Sequence, residues 1–409
     1  MQFPSPLVLL LMVATPLRAA DPFQIVYQWK EVDYNFPSQQ MRNNAINSGA
    51  YKVGNAVPLD MDVSNLDPYN RLFVTTPRFL PGVPATLNTV DPANGLLTPY
   101  PDWSWHTQGD CDGITSVLRT KIDKCGQLWV IDAGEVDTFT NASKRICQPQ
   151  VLAFDITNDK FLWRYKLPDD MVKGRSLLGN VEVLLKNSCK NAYVYMADLQ
   201  GYRVVVLDAV TPRSWIANSN LFYPYPFDGH FDINGRQFDL MDGVFGMALS
   251  PQDPTTGDST MYFHSLASTW ESMVSTRTLN KESNFRNGQS PTTEFSYSIG
   301  QRSGQAGPSA MDKQGRALFF SILPKNSLNC WSPRLQYRSE NIVQLMRNDE
   351  TFQFNSGLKI KEDANGREWL FALTSQLQNI ITGSWDKNAV KYRILKAPVD
   401  VLVQGTTCA

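Results

Sequence analysis

The sequence predicts an all-β fold, a six-bladed β-propeller whose ring is closed by an N-terminal strand. Three observations carry this. Helical periodicity is scarce, while short β-rich runs bounded by Gly, Pro, Asn and Asp fill the chain. One such run recurs six times. A strand-like segment near the N-terminus, "FQIVYQWKEVDY" (23–34), has no local partner.

The recurring element is "RLFVTT" (71–76), "QLWVID" (127–132), "AYVYMAD" (192–198), "TMYFHS" (260–265), "ALFFSI" (317–322) and "WLFALT" (369–374). Each copy follows a turn: "LDPYN", "DKCG", "NSCKN", "DPTTGD", "DKQG" and "DANG". Another apolar strand precedes most of these turns, as in "GITSVLRTKI", "GNVEVLL", "GVFGMALS" and "GPSAMD". A third often follows, as in "ATLNTVD", "QVLAFDI", "YRVVVLD", "NIVQLMR" and "YRILKAP". Antiparallel strand, turn, strand, loop, strand in six copies is the pattern of a propeller. The repeat exceeds the usual 40–45 residues, so the connecting loops are long. Residues 23–34 then supply the outer strand of the last blade, since an unpaired edge invites pairing. A pair of stacked β-sandwiches is the alternative arrangement of so many strands. The expected organisation is a signal peptide over 1–20 and one propeller domain over 21–409.

The first twenty residues hold an apolar run from Leu7 to Val13 and small residues at Ala19 and Ala20, the layout of a secretory signal. Arg18 and a weakly charged start fit it less well. No later apolar run reaches the roughly 18 residues of a membrane span. The 409 residues carry 38 basic and 39 acidic side chains without a polybasic run, which argues against nucleic acid or a membrane surface as partner. A secreted, extracellular monomer is expected.

Six cysteines behind a signal peptide point to disulfides, and no CxxC pair offers a zinc or redox motif. The repeat predicts their pairing. Cys125 and Cys189 occupy equivalent turns of neighbouring repeats. Cys111 precedes a strand and Cys147 follows the loop after that strand's returning partner, so these two share the opposite face. Cys330 and Cys408 remain, and their bond would pin the C-terminal tail. Asn141-Ala-Ser143 is a glycosylation sequon in a polar loop.

Several longer motifs resemble one known family. "LFVTTPRFLPGVPATL", "PYPDW", "GDCDGITSVLRTKIDKCGQLWVIDAG", "DGVFGMALSP", "MYFHSLAS", "VSTRTL" and "NCW" are similar, in order, to the insect yellow and major royal jelly proteins. The likeness runs from about Trp29 to Cys408 and is closer to the yellow branch. It implies a secreted six-bladed propeller linked to melanin and catecholamine metabolism, cuticle pigmentation or behaviour. Some members of the family are similar to dopachrome-converting tautomerases, and salivary relatives bind biogenic amines in the central channel. The implied ligand is a small aromatic amine or a catechol or indole-quinone. At the end of the last repeat, Thr374-Ser375-Gln376 stands where yellow proteins tend to carry Ser-Asp/Asn-Arg, so ligand contacts do not transfer residue for residue.

Propeller ligands sit where strand ends and loops surround the axis. On that ground the candidate catalytic residues are His264, Asp132, Asp198 and Arg78, with Asp112, Asn180, Phe245, His106 and Thr374 as ligand contacts and Asp242 beside them. A carboxylate there could pair with an amine or accept a proton from a catechol ring, and tautomerisation needs only an acid/base group and no cofactor. His264 has the right intrinsic pKa for a proton shuttle. Arg78, stiffened by neighbouring prolines, could hold a carboxylate. His106 lies among tryptophans that could stack on an indole, and Phe245 sits between glycines that allow close backbone approach. Each has a structural alternative: Asp132 and Asp198 as turn caps, the histidines as satisfied buried groups, Arg78 as an ion pair between blades, Phe245 as core. A metal-dependent lactonase would need several carboxylates and amides on the axis; Asp112, Asn180 and Asp242 imitate this only in part, without an axial Glu, and no metal is expected.

Overall fold

In the computed structural model, residues 22–64, 70–172, 174–386 and 388–409 are described; the expected signal peptide and most of the first turn lie outside them. Six four-stranded antiparallel sheets stand around one axis. From the axis outward, blade 1 is Asp60–Val63, Leu72–Thr75, Leu87–Val90 and Leu97–Pro99. Blade 2 is Val117–Ile122, Gln127–Asp132, Gln150–Asp155 and Lys160–Lys166. Blade 3 is Leu178–Leu185, Ala192–Asp198, Arg203–Asp208 and Arg213–Ala217. Blade 4 is Val244–Leu249, Thr260–Ser265, Ser272–Ser275 and Phe295–Tyr297. Blade 5 is Ala306–Met311, Leu318–Ile322, Ser327–Trp331 and Ile342–Arg347. Blade 6 takes Asn355–Glu362, Glu368–Ser375 and Tyr392–Pro398 from the C-terminal end of the chain and its outermost strand, Gln24–Trp29, from the N-terminal end. The N-terminal strand therefore closes the ring as its missing partner demanded.

The turns explain why the repeat was readable. In "DKCG", Asp123 accepts the backbone N–H groups of Cys125 and Gln127 and the indole N–H of Trp129. In "DANG", Asp363 does the same for Asn365, Arg367 and Trp369. In "DKQG", Asp312 accepts from Arg316 and Ala317. The closing glycines, Gly126, Gly315 and Gly366, all have φ between 68° and 77°. An acceptor at the first position and a left-handed residue at the fourth make the same tight turn three times over.

All three disulfides pair as the repeat predicted. Cys111–Cys147 lies on one face of blade 2, Cys125–Cys189 joins the turns of blades 2 and 3, and Cys330–Cys408 ties the C-terminal tail to blade 5. The core lies between sheets, where aromatic and branched side chains such as Phe73, Phe154, Phe263 and Phe319 are fully buried. Neighbouring blades also meet through their innermost strands, which touch in ring order around the axis.

One positional expectation is corrected here. The recurring strands are second from the axis; the strands before each turn are innermost. Residues ending the recurring strands therefore face loops and neighbouring blades more than the axis.

Candidate functional site

The innermost strands begin, and the second strands end, at the same mouth of the propeller, and there all six blades surround a cavity of about 550 Å³. Two additions raise its wall. The hairpin Glu135–Val136/Lys144–Arg145 in blade 2 contributes Phe139, stacked on Phe79 at 4.2 Å. The helix Leu377–Ile381, which follows the Thr374-Ser375-Gln376 departure, contributes Leu377 and Ile381. These two side chains give the cavity an apolar wall there.

The floor is Arg119. It is 3% exposed and reaches four neighbouring inner strands. Its Nε donates to Gly179 O of blade 3 at 2.5 Å, and its Nη1 to Ser356 O of blade 6 at 2.5 Å and to Leu59 O, just before blade 1, at 3.4 Å. Asp60 of blade 1 lies 3.6 Å away, and the guanidinium sits 5.1 Å from the ring of Phe245 in blade 4. Below Arg119 the axis is filled by pairs: Lys359–Asp60 at 3.3 Å, Lys361–Asp62 at 3.0 Å and Lys121–Glu182 at 2.8 Å. The sequence signal was present but unused. "DMDV", "LRTKI" and "LKIKE" each set charges at alternate positions, which a strand turns to one face, and "NVEV" adds Glu182. Opposite signs on successive blades then meet at the axis.

Asp242 is the carboxyl group of the cavity wall whose proton affinity is tuned toward neutrality. Burial pushes its pKa up to about 6, against a hydrogen bond from Gln200 that works in the other direction. A carboxyl titrating there exchanges protons readily near neutral pH. Glu135 and the exposed Arg175 lie elsewhere on the lining.

Of the nine site residues that the sequence predicts, Phe245 alone lines this cavity; Asp242, named beside them, lines it too. The others are placed as follows. Asp132 accepts from Thr115 N, Ser116 N, Gly134 N and Gln150 Nε2, so every favourable lone pair is engaged in holding loops. Asp198 accepts from Leu177 N, Gly201 N, Arg203 Nε and the Ser176 hydroxyl. Both act as the caps that their strand-end position allowed. The Arg78 guanidinium is buried against four carbonyls, those of Val83, Pro84, His106 and Thr115, and ties its proline-rich loop to blade 2; it has no ligand-facing fork. His106 is buried behind that loop, its Nδ1 accepting from Thr86 N at 3.3 Å and its Nε2 facing Tyr100 O at 3.1 Å. Burial, with Arg78 nearby, drives its pKa down to about 3.

His264 lies between blades 4 and 5, with Nδ1 3.0 Å from Glu271 Oε2 and Nε2 2.9 Å from Gly307 O. Arg302 reaches the same Glu271 oxygen at 2.7 Å, and all three side chains are sealed from solvent. This is an inter-blade latch, and none of the three side chains lines the cavity. Gly246 serves it, because a Cβ there would lie 2.2 Å from the imidazole. That glycine thus admits His264, and does not crowd the axis. Asn180 donates to Phe245 O at 2.5 Å and so positions the ring that forms part of the floor. Thr374 donates to Thr351 O at 2.9 Å, away from the lining. Asp112 sits on the outer surface with Lys166 and Arg164, whose charges lower its pKa. Asn141 is exposed on the loop of the blade 2 hairpin, beside the residues that border the mouth.

Comparison with known proteins agrees with this architecture. The sequence profile described as Major royal jelly protein matches residues 115–408. The chain belongs to the yellow and major royal jelly protein family. It is 31% identical over 96% of its length to the Drosophila melanogaster protein called Dopaminechrome tautomerase, covering 85% of that protein. It is 33% identical to Protein yellow of the same species, over 98% of this chain and 73% of that one. Major royal jelly protein 9 of Apis mellifera is also 33% identical, over 95% of this chain and 90% of the other.

Proposed function

We propose that this member of the family acts on an indole-quinone of catecholamine metabolism, as a tautomerase of the dopachrome or dopaminechrome kind, and that it serves pigment formation outside the cell. The observation that carries the reading is Asp242: a carboxyl titrating at about 6 in the wall of an axial cavity large enough for a small ligand. The tautomerase named among the relatives, matching nearly the whole chain, supports the substrate class. Ionised Asp242 takes a proton from a saturated ring carbon of the aminochrome and one quinone oxygen gains a proton, giving a quinone-methide isomer; a second carbon-to-oxygen proton shift then makes the ring aromatic. The product is an isomer, so no electrons leave the substrate. Phe245 offers a ring face on which a flat substrate can stack.

Three disulfides support folding in an oxidising compartment, and the exposed sequon at Asn141 fits glycosylation on the way out. Among the described residues no helix is long and apolar enough to cross a membrane.

The test follows loss of aminochrome absorbance. Purified protein is expected to outpace the spontaneous reaction, with a rate that rises with pH through about 6 as Asp242 ionises. Asp242→Asn is expected to lower the rate by roughly 10²–10⁴-fold, the usual contribution of a positioned acid/base group. No acceleration by the wild-type protein overturns the reading. A second reading, non-catalytic binding of biogenic amines, is favoured by one observation: no histidine stands on the cavity wall to partner Asp242. Calorimetry with dopamine and serotonin tests it, and heat of binding without turnover would select it.

A further inference from the structure

We infer that Arg119 is the ligand's oxygen-binding residue: its guanidinium presents one free N–H edge at the cavity floor to an electron-rich oxygen. The inference rests on the functional reading above for the ligand's identity, but its geometry stands independently. Arg119 Nε and Nη1 are held by the carbonyls of Gly179, Ser356 and Leu59. Nη2 has no hydrogen-bond partner among the described residues, yet it is not among the buried polar atoms sealed without one. Since Arg119 lines the cavity, that remaining edge opens into it. A guanidinium fixed by three bonds cannot swing to find another acceptor, so its free donors are already aimed.

Charge points the same way. Lys361 has Asp62 and Lys121 has Glu182, one carboxylate each. Asp60 alone is shared by two cations, Lys359 at 3.3 Å and Arg119 at 3.6 Å. The top of the axial stem therefore holds one more cation than carboxylate, on groups that are buried: Arg119 is 3% exposed. A buried cation with an open donor favours an oxygen that bears or develops negative charge. Phe245 lies alongside, its ring 5.1 Å from the guanidinium carbon. An aromatic face next to a donor edge matches a flat ring with an oxygen substituent.

In the tautomerisation this places opposite charges where the step needs them. The C–H proton passes to the Asp242 carboxylate. The bonding pair stays with the ring and shifts onto the quinone oxygen, whose growing charge faces Arg119. The free amine ligands of the alternative reading would meet Arg119 only through a ring hydroxyl.

The shared chemistry is an anionic oxygen, from a quinone or catechol or from a carboxylate, and the experiment separates the two. The probe is 4-nitrocatechol, whose visible band reports ionisation, at a pH where the free probe is mainly neutral. Bound to the wild-type protein it is expected to show the catecholate band. In Arg119→Gln the band is lost and binding weakens by about tenfold, the effect of one charge-assisted hydrogen bond, while Asp242→Asn keeps the band. A bound probe with the neutral spectrum, no binding, or a folded Arg119→Gln that retains the band overturns the inference. If Arg119→Gln fails to fold, the wild-type spectrum and the band in Arg119→Lys decide it. Displacement of the probe by indole-2-carboxylate about tenfold better than by indole assigns the oxygen to a carboxylate; equal displacement assigns it to a quinoid or catechol oxygen. A catecholate band in a protein that leaves aminochrome untouched would sink the tautomerase reading and leave Arg119 in place.

Discussion

Above Arg119 the propeller axis is open and largely apolar; below it the same axis is filled by paired charges. Both regions are built from the same six innermost strands. The difference lies in which residues those strands turn inward. At the mouth they offer Gly179, Ser356 and Phe245, short or flat groups that leave space. One strand turn deeper they offer Lys, Asp and Glu, whose long side chains meet across the axis. Buried ion pairs seldom add net stability over apolar packing, because desolvation offsets their attraction. Their value here is specificity: Asp60 and Asp62 fix blade 1 against blades 2 and 6 by contacts that no other register would satisfy. The stem holds the ring in register, and the mouth is left open.

The sharpest way to break this contrast is Asp60→Ala. It strands Lys359 and Arg119 as buried cations and removes the acceptor of Thr120 N. A loss of about 3–5 kcal/mol is expected, read from urea unfolding; a loss below about 1 kcal/mol, the range of an exposed pair, would mean that the stem does not hold the ring.

Asp242→Asn should act in the opposite sense, and only at higher pH. The folded carboxyl titrates at about 6, above its unfolded value of 3.8, so the folded state binds the proton more tightly. The penalty for ionising it is absent below pH 3.8, grows as pH rises toward 6 and is complete above that. At pH 8 the Asn variant is therefore expected to be more stable by on the order of 2–3 kcal/mol, while at pH 4 the two should unfold together. Equal gains at both pH values would show that Asp242 is not the titrating group.

Leu377→Ala probes the wall. A buried Leu→Ala change usually costs about 2–5 kcal/mol, but this side chain already borders empty space, so about 1 kcal/mol is expected. Thermal unfolding, together with tighter uptake of a bulkier indole, would check it. The smallest effect is reserved for Asp112→Ala, on the outer surface: an unchanged melting midpoint at low and high salt is expected, and a clear drop would return Asp112 to consideration.

The comparison also shows what was readable beforehand. The six repeats, the ring closure through residues 24–29 and all three disulfides were legible, because turn chemistry such as Asp123-to-Gly126 and period-2 patterning are local. Phe245 and Asp242, from the "DGVFGMALS" stretch at the start of an innermost strand, are the sequence candidates that the fold places on the cavity lining. Arg78, His106, His264, Asp132 and Asp198 were misplaced for a common reason. Four of them attach to the second strands and their loops, and His106 to the turn Trp103–His106 before blade 2, where polar side chains serve neighbouring backbone. Arg119 was overlooked although "LRTKI" sits in an innermost strand, since its importance depends on Gly179, Leu59 and Ser356, up to 237 residues away.

By itself, then, the sequence determined the six-fold repeat, the ring closure and the covalent cross-links, since each follows from residues close together or from a repeated pattern. Only the tertiary structure decided which charges meet at the axis and which edge of Arg119 remains free. Those depend on distances between blades, and closing the ring is what sets them.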